Sequence, residues 1–128
     1  MAEKHPCDRI ELTLPASRDM MLVARLAASG VVARAGLPLD VLDDVKMAVE
    51  EACLFLMAQA SDPQRLHLTF ELCPQGFSVE ILCEGEGNGR PELQPGELEV
   101  VRCILESLVR TVDICMREDG PRSIRLAT

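Results

Sequence analysis

Two alternating segments joined by a short turn constrain the fold of this chain most strongly. Apolar and polar residues alternate in RLHLTFELC (65–73) and again in FSVEILC (77–83), with PQG between them. Period-two alternation is typical of half-buried strands, and two such runs around a Pro/Gly connection predict an antiparallel hairpin. The residues predicted to face inward are Leu66, Leu68, Phe70, Leu72, Phe77, Val79, Ile81 and Cys83.

The remaining elements surround this hairpin. Further strands are predicted at 9–14 (RIELTL), 111–116 (TVDICM) and 123–127 (SIRLA), and helices at about 18–35, 38–60 and 97–110. Ser17 is a candidate N-cap and Gly36 a candidate C-terminal stop for the first helix, and SDPQ (61–64) is predicted to be a turn. The order β-α-α-β-β-α-β-β is not the regular alternation of a doubly wound parallel sheet. We therefore predict one α+β domain over residues 1–128, a two-layer sandwich with a mostly antiparallel sheet and the helices on one face.

Composition excludes several classes of partner. The 128 residues carry a formal net charge of −8, and aromatic residues make up 2%, with no Trp or Tyr. An acidic chain repels nucleic-acid phosphates and anionic lipid, and single-stranded nucleic acid binding depends on aromatic stacking. No apolar run reaches the roughly 18 residues of a membrane span. The first residues, MAEKHPCDR, lack the apolar core of a secretory signal, so a cytoplasmic protein with protein partners is expected.

The cysteine pattern predicts neither a zinc site nor a disulfide framework. Cys7, Cys53, Cys73, Cys83, Cys103 and Cys115 include no CxxC pair, and only His5 and His67 could join them as ligands. For a cytoplasmic protein we expect reduced, mostly buried thiols and no metal centre.

One helix and the strand end that follows it carry the most informative motifs. DDVKMAVEEACLFLMAQA (43–60), followed by a hairpin that ends in ILCEGEG (81–87), resembles the GHKL ATPase superfamily, and within it the bacterial anti-sigma-factor serine kinases. The resemblance covers nearly the whole chain. It implies a pocket for ATP and magnesium between the helices and the sheet.

Some residues at the family's motif positions differ from those that bind ATP and magnesium in the family. In the family motif Glu-x-x-x-Asn, the Glu activates the attacking hydroxyl or water and the Asn holds magnesium; here Glu51 keeps the first position and Phe55 replaces the Asn. In Asp-x-Gly-x-Gly, whose Asp accepts the adenine amino group, Cys83 replaces the Asp while Gly85 and Gly87 are kept.

Two further motifs of the family are also altered. Glu99 and Val101 align with the glycine box that cradles phosphate, and Pro121-Arg122 align with a Gly-Thr before the last strand. Magnesium requires hard oxygen ligands, a thiol is a weak substitute for a carboxylate, and a glutamate at a helix start opposes anion binding. Together, the substitutions predict that the nucleotide and metal sites have been lost.

Three functional hypotheses remain. The favoured one is a non-catalytic regulatory module in bacterial signalling that needs no cofactor and sequesters or scaffolds a sigma factor or an anti-anti-sigma-like antagonist, as a homodimer. The alternative is an active ATP-dependent serine/threonine protein kinase that uses ATP and Mg, with Glu51 as the base. The third is a small-ligand sensor that reuses the pocket.

Each site residue also has a purely structural interpretation. Glu51 can be an inherited helix glutamate, Phe55 a plug in the core, and Gly85 and Gly87 turn residues that need unusual backbone angles. The acidic neighbours of Cys83 disfavour a reactive thiolate there.

Three other residues have simple predicted roles. Glu50 is predicted to be solvated and His67 to lie on the surface. Met20 and Met21 begin an apolar stripe suited to a partner surface.

Overall fold

A computed structural model of the protein describes residues 7–60, 62–86, 96–117 and 120–128. The strands are β1 (Asp8–Pro15), β2 (Asp62–Cys73), β3 (Gly76–Glu86), β4 (Thr111–Arg117) and β5 (Gly120–Ala127). The helices are α1 (Met21–Arg34), preceded by a 3-10 turn at Arg18–Met20, α2 (Leu39–Gln59) and α3 (Glu97–Leu108). The predicted order of elements is therefore confirmed.

All five strands form one antiparallel sheet in the order β1-β2-β3-β5-β4. β2 and β3 form the predicted hairpin, in which Phe70 pairs with Val79. The chain leaves β3, runs through α3 to the far edge as β4, and returns as β5 beside β3. Strands β1 and β4 are thus the two edges of the sheet.

The alternation read from the sequence puts one face of the sheet into the core. Leu66, Leu68, Val79 and Ile81 are fully buried together with the helix residues that cover them, and the rings of Phe70 and Phe77 lie 6.2 Å apart between centroids. The opposite face carries polar and charged side chains with no helix packed over them in the described part of the chain. The α+β two-layer sandwich is confirmed.

The two ends of the first helical segment, from the 3-10 turn through α1, agree with the sequence. The Ser17 hydroxyl caps the 3-10 turn, where it accepts a hydrogen bond from the Asp19 backbone N–H at 3.2 Å. Gly36, just beyond the helix, has φ +75°, a left-handed conformation that favours glycine. Pro38 immediately precedes α2, where its missing N–H costs no helical hydrogen bond.

The predicted turn at SDPQ is wrong for residues 62–64, which begin β2. Asp62 pairs with Glu86 and Pro63 with Gly85, and the register shifts between Pro63 and Arg65. A proline is tolerated at such an irregular strand end, where it interrupts little of the regular hydrogen bonding. β3 correspondingly continues beyond Cys83, where the alternating run ends, as far as Glu86.

The prediction of reduced thiols is wrong for Cys7 and Cys73, which form a disulfide. Cys7 precedes β1 and Cys73 ends β2, and the antiparallel register brings their Cα atoms to 4.2 Å despite a separation of 66 positions in the chain. Cys103 and Cys115 are exposed rather than buried. Within the described ranges, no helix has the length and apolar character that crossing a membrane requires.

Candidate functional site

The candidate site lies along one side of α2. Glu51, Phe55 and Gln59 recur at four-residue steps, so they share a face of the helix. Glu51 is half-buried, whereas Phe55 is 6% exposed and belongs to the hydrophobic core. Gln59 is buried, and its Nε2 has no hydrogen-bond partner among the described residues. This stripe therefore presents one carboxylate at its edge and an aromatic ring in its middle.

Glu50 was predicted to be solvated, but its side chain is instead paired with a residue of α1. Its Oε1 lies 3.3 Å from Nε of Arg25 on α1, and both side chains are partly buried. The pair joins α1 to α2 on the side of the helix away from Phe55. Glu50 therefore acts in helix packing and leaves Glu51 as the carboxylate on the candidate face.

Two cysteines are buried near the candidate site, one in the sheet and one in the helix layer. Cys83 lies near the end of β3, and Cys53 lies on the core side of α2. Burial raises the pKa of the Cys53 thiol to about 12, and electrostatic repulsion from Cys83 and Glu50 adds to the effect. Cys53 is thus a neutral, apolar group at neutral pH.

Gly85 has a role in strand packing. It lies in β3 without a positive φ, and a Cβ placed there would be 2.8 Å from the backbone oxygen of Asp62. The hypothesis of a turn glycine with unusual backbone angles is therefore wrong for Gly85, which is needed because β2 approaches closely. Gly87 lies outside the described residues.

The start of α3 is acidic. Gly96 precedes the helix with φ +84°, and Glu97 and Glu99 occupy its first turn. Acidic side chains stabilise the positive end of a helix, but they repel a phosphate that would bind there. Val101 is buried in the core, and Pro121 and Arg122 lie inside β5 rather than before it.

These side chains are not suited to binding magnesium together with a nucleoside triphosphate. A phenyl ring offers no ligand atom, and a thiol is not the hard oxygen donor that magnesium prefers. Among the described residues, no group of three or more His, Cys, Asp or Glu side chains could hold a metal ion. Two surface cavities of about 250 and 260 Å³ are lined by other residues than Glu51, Phe55 and Cys83.

The sequence did not predict a polar cluster that lies on the open face of the sheet. His67 Nε2 lies 2.8 Å from Glu84 Oε1, and His67 Nδ1 lies 3.2 Å from the Thr13 hydroxyl. The hydrogen bond from His67, with the nearby charge of Arg65, lowers the pKa of the Glu84 carboxyl against a smaller opposing effect of desolvation. His67 is at the surface as predicted, but its partners become apparent only from the strand register.

The exposed apolar surface of α1 differs from the prediction. Met21 is buried in the core and Met20 is half-buried. Leu22, Val23 and Leu26 are instead 55%, 41% and 62% exposed, and we call these three residues the α1 apolar surface.

Comparisons with known proteins agree with this architecture. A family model described as the histidine kinase-like ATPase domain matches residues 14–103. The serine-protein kinase RsbW of Halalkalibacterium halodurans is 32% identical over 83 residues, which are 64% of this chain and 51% of that protein. The protein of the same name from Staphylococcus epidermidis is 36% identical over 83 residues, or 62% of this chain and 52% of that protein.

A solved structure supports the same fold. The RsbU and RsbW domains of Rv1364c from Mycobacterium tuberculosis match with a TM-score of 0.71 at 14% identity, covering 94% of this chain and 32% of that chain. At this identity the match establishes the fold alone. The chain spans about half the length of the curated relatives named above.

The family model covers well over half of the 128 residues, from the end of β1 into α3. The resemblance to the GHKL serine kinases that the motifs predicted is confirmed by these matches. The chain belongs to the histidine kinase-like ATPase domain family.

Proposed function

We propose that this chain is a regulatory protein of the anti-sigma-factor type, which sequesters or scaffolds a protein partner and does not transfer phosphate. The kinship with serine-protein kinases supports the regulatory part of the proposal. The observation that carries the non-catalytic part is the position of Phe55 in the core.

Phe55 stands where the family motif has its magnesium-binding asparagine. The residue is 6% exposed and packs with the apolar residues between α2 and the sheet. Moving it aside to admit a metal would expose a large apolar side chain, and full burial of a Phe contributes about 1.5–3 kcal/mol. Even then, the position would offer no oxygen.

Two other positions support the same conclusion. Cys83 is buried where the motif has the adenine-binding Asp, and a thiol is a weak hydrogen-bonding group. Glu97 and Glu99 add negative charge at the helix start that would have to receive phosphate. Glu51 keeps the position of the base, but a base is effective only when a substrate is held within reach.

The α1 apolar surface is the proposed docking site for the partner. Leu22, Val23 and Leu26 expose aliphatic side chains on one helix. The occupant that we propose is a sigma factor or an anti-anti-sigma-like antagonist, and we expect the chain to act as a homodimer.

Calorimetry with ATP and magnesium tests the non-catalytic proposal. We expect no binding heat at concentrations where the Staphylococcus epidermidis relative, measured in parallel, binds. Micromolar binding by this chain, together with turnover that Glu51→Ala abolishes while binding persists, would establish the kinase alternative. A thermal stabilisation by a metabolite but not by ATP would establish the sensor alternative.

The docking proposal is tested with purified sigma factors and antagonists from the same organism. We expect at least one to bind, and Leu26→Asp to weaken that binding at least tenfold. Leu39→Asp, at an exposed leucine on α2, is the matched control and should leave the affinity within twofold. Equal affinities of the two variants would contradict docking at α1, and sedimentation equilibrium would show whether the chain is a dimer.

A further inference from the structure

The disulfide between Cys7 and Cys73 joins an edge strand to the strand beside it. Cys7 lies directly before β1, Cys73 is the last residue of β2, and β1 pairs with no strand but β2 in the part of the chain that the structure describes. Both cysteines are partly exposed to solvent. The bond is therefore within reach of a reductant, unlike a cross-link inside the core.

Among the described residues, few other contacts hold the N-terminal half of β1. Every side chain from Asp8 to Glu11 is exposed, and Leu14 is the first residue of the strand to be buried. Arg34 of α1 lies 3.7 Å from Asp8, but 70% and 67% of the two side chains are exposed. Such exposed ion pairs add little stability. Backbone pairing with residues 69–72 of β2 also attaches this half of the strand.

We propose that the Cys7–Cys73 disulfide is a reducible clamp on β1. In the oxidised protein it holds residues 8–11 against β2. In the reduced protein this half of the strand separates, while residues 12–15 remain attached through Leu14. Breaking the disulfide therefore also exposes the backbone hydrogen-bonding groups of residues 69–72 on β2.

The chemistry is an ordinary thiol–disulfide exchange with a dithiol. One thiolate of the dithiol attacks a sulfur of the Cys7–Cys73 bond, forming a mixed disulfide and releasing the other cysteine as a thiolate, which takes up a proton. The second thiol of the reductant, on losing its proton, displaces the remaining cysteine. The dithiol is oxidised to a cyclic disulfide, and the two cysteines gain two electrons and two protons.

Hydrogen exchange of the whole chain, with and without dithiothreitol, tests the clamp. On reduction, we expect the protected amides of residues 8–11 to exchange at least tenfold faster, while those of residues 66–68 change less than twofold. Cys7→Ser should show the fast exchange without reductant. Cys103→Ser, at an exposed cysteine outside the disulfide, should behave like the wild type in both states.

Two results would overturn the proposal. One is the modification of all six cysteines by iodoacetamide in the air-oxidised, denatured protein. A disulfide would protect two of them and leave four to react, so this result would show that the disulfide does not form. The other is equal exchange at residues 8–11 in the oxidised protein, the reduced protein and Cys73→Ser. Recovery of slow exchange on reoxidation with a disulfide would show that the clamp is reversible.

Discussion

At the scale of single residues, the helix layer of this protein contains a thiol that burial keeps neutral. Cys53 is fully buried on α2, and its burial raises its pKa to about 12. The unfolded chain exposes the same thiol to water, where it ionises near its ordinary value of 9.0. Folding therefore favours the protonated form.

This difference predicts an alkaline loss of stability that belongs to Cys53. A pKa raised in the folded state contributes stability that is complete below pH 9 and is lost as the pH rises toward 12. Within that window the loss approaches about 1.4 kcal/mol per pH unit. We expect Cys53→Ala to lower the free energy of unfolding at neutral pH but to flatten its decline above pH 9, as measured by urea denaturation across this range.

Other groups also titrate in this range, so the wild-type slope alone is not diagnostic. Cys103→Ala, at an exposed cysteine, provides the control and should keep the wild-type slope. Parallel declines for the wild type and Cys53→Ala would show that burial does not control the thiol.

At the scale of elements, the start of β2 and the end of β3 are held together by a close approach at Gly85. An added Cβ would meet backbone atoms on the neighbouring strand, at 2.8 Å from the oxygen of Asp62 and 3.2 Å from Cα of Pro63. Backbone atoms cannot rotate away as a side chain can, so the two strands would have to separate.

We therefore expect Gly85→Ala to reduce the free energy of unfolding by about 1–3 kcal/mol, the range found for overpacked positions. Gly30 is the matched control, because it lies inside α1 and has nothing within 4 Å of an added Cβ. Gly30→Ala should stabilise the protein by about 0.5–1 kcal/mol through helix propensity. Urea denaturation of both variants measures the two effects, and stabilisation by both would refute the close approach.

Local patterns predicted the elements well because each pattern depends on neighbours along the chain. The alternation of Leu66, Leu68 and Phe70 indicated which face of β2 is buried, and Ser17 and Gly36 marked the ends of the first helical segment. The turn predicted at SDPQ was wrong at Asp62 and Pro63 because a strand more than twenty positions further along the chain pairs with them.

In the candidate site, too, features that depend on neighbours along the chain could be predicted, and features that depend on strand pairing could not. The motif positions of Glu51 and Phe55 could be found from the sequence, since both lie on one helix. The Cys7–Cys73 disulfide and the contact of His67 with Glu84 join positions that are distant in the chain, so only the strand register reveals them. The exposed surface of α1 was also misassigned, because Met21 rotates into the core and Leu22 does not.

At the scale of the whole molecule, the net charge of −8 opposes compaction. The ion pairs of the described residues are mostly at the surface, such as Arg9 with Glu11 at 3.3 Å and Arg65 with Glu84 at 3.7 Å. Exposed pairs of this kind contribute roughly 0–1 kcal/mol each. Long-range repulsion among the acidic groups is therefore the larger electrostatic effect on stability.

Salt should consequently stabilise the protein. Raising the ionic strength from about 0.01 M to about 0.15 M shortens the screening length from about 30 Å to about 8 Å. That change weakens repulsion across the molecule more than it weakens contacts of 3–4 Å. We expect the free energy of unfolding in urea, an uncharged denaturant, to rise by about 1 kcal/mol over this range, an estimate from the several-kT potentials of highly charged proteins.

The gain should level off by about 0.2 M because screening saturates, whereas a salting-out effect would keep growing toward molar salt. A fall in stability over the same range would mean that the surface ion pairs outweigh the repulsion of the excess acidic groups.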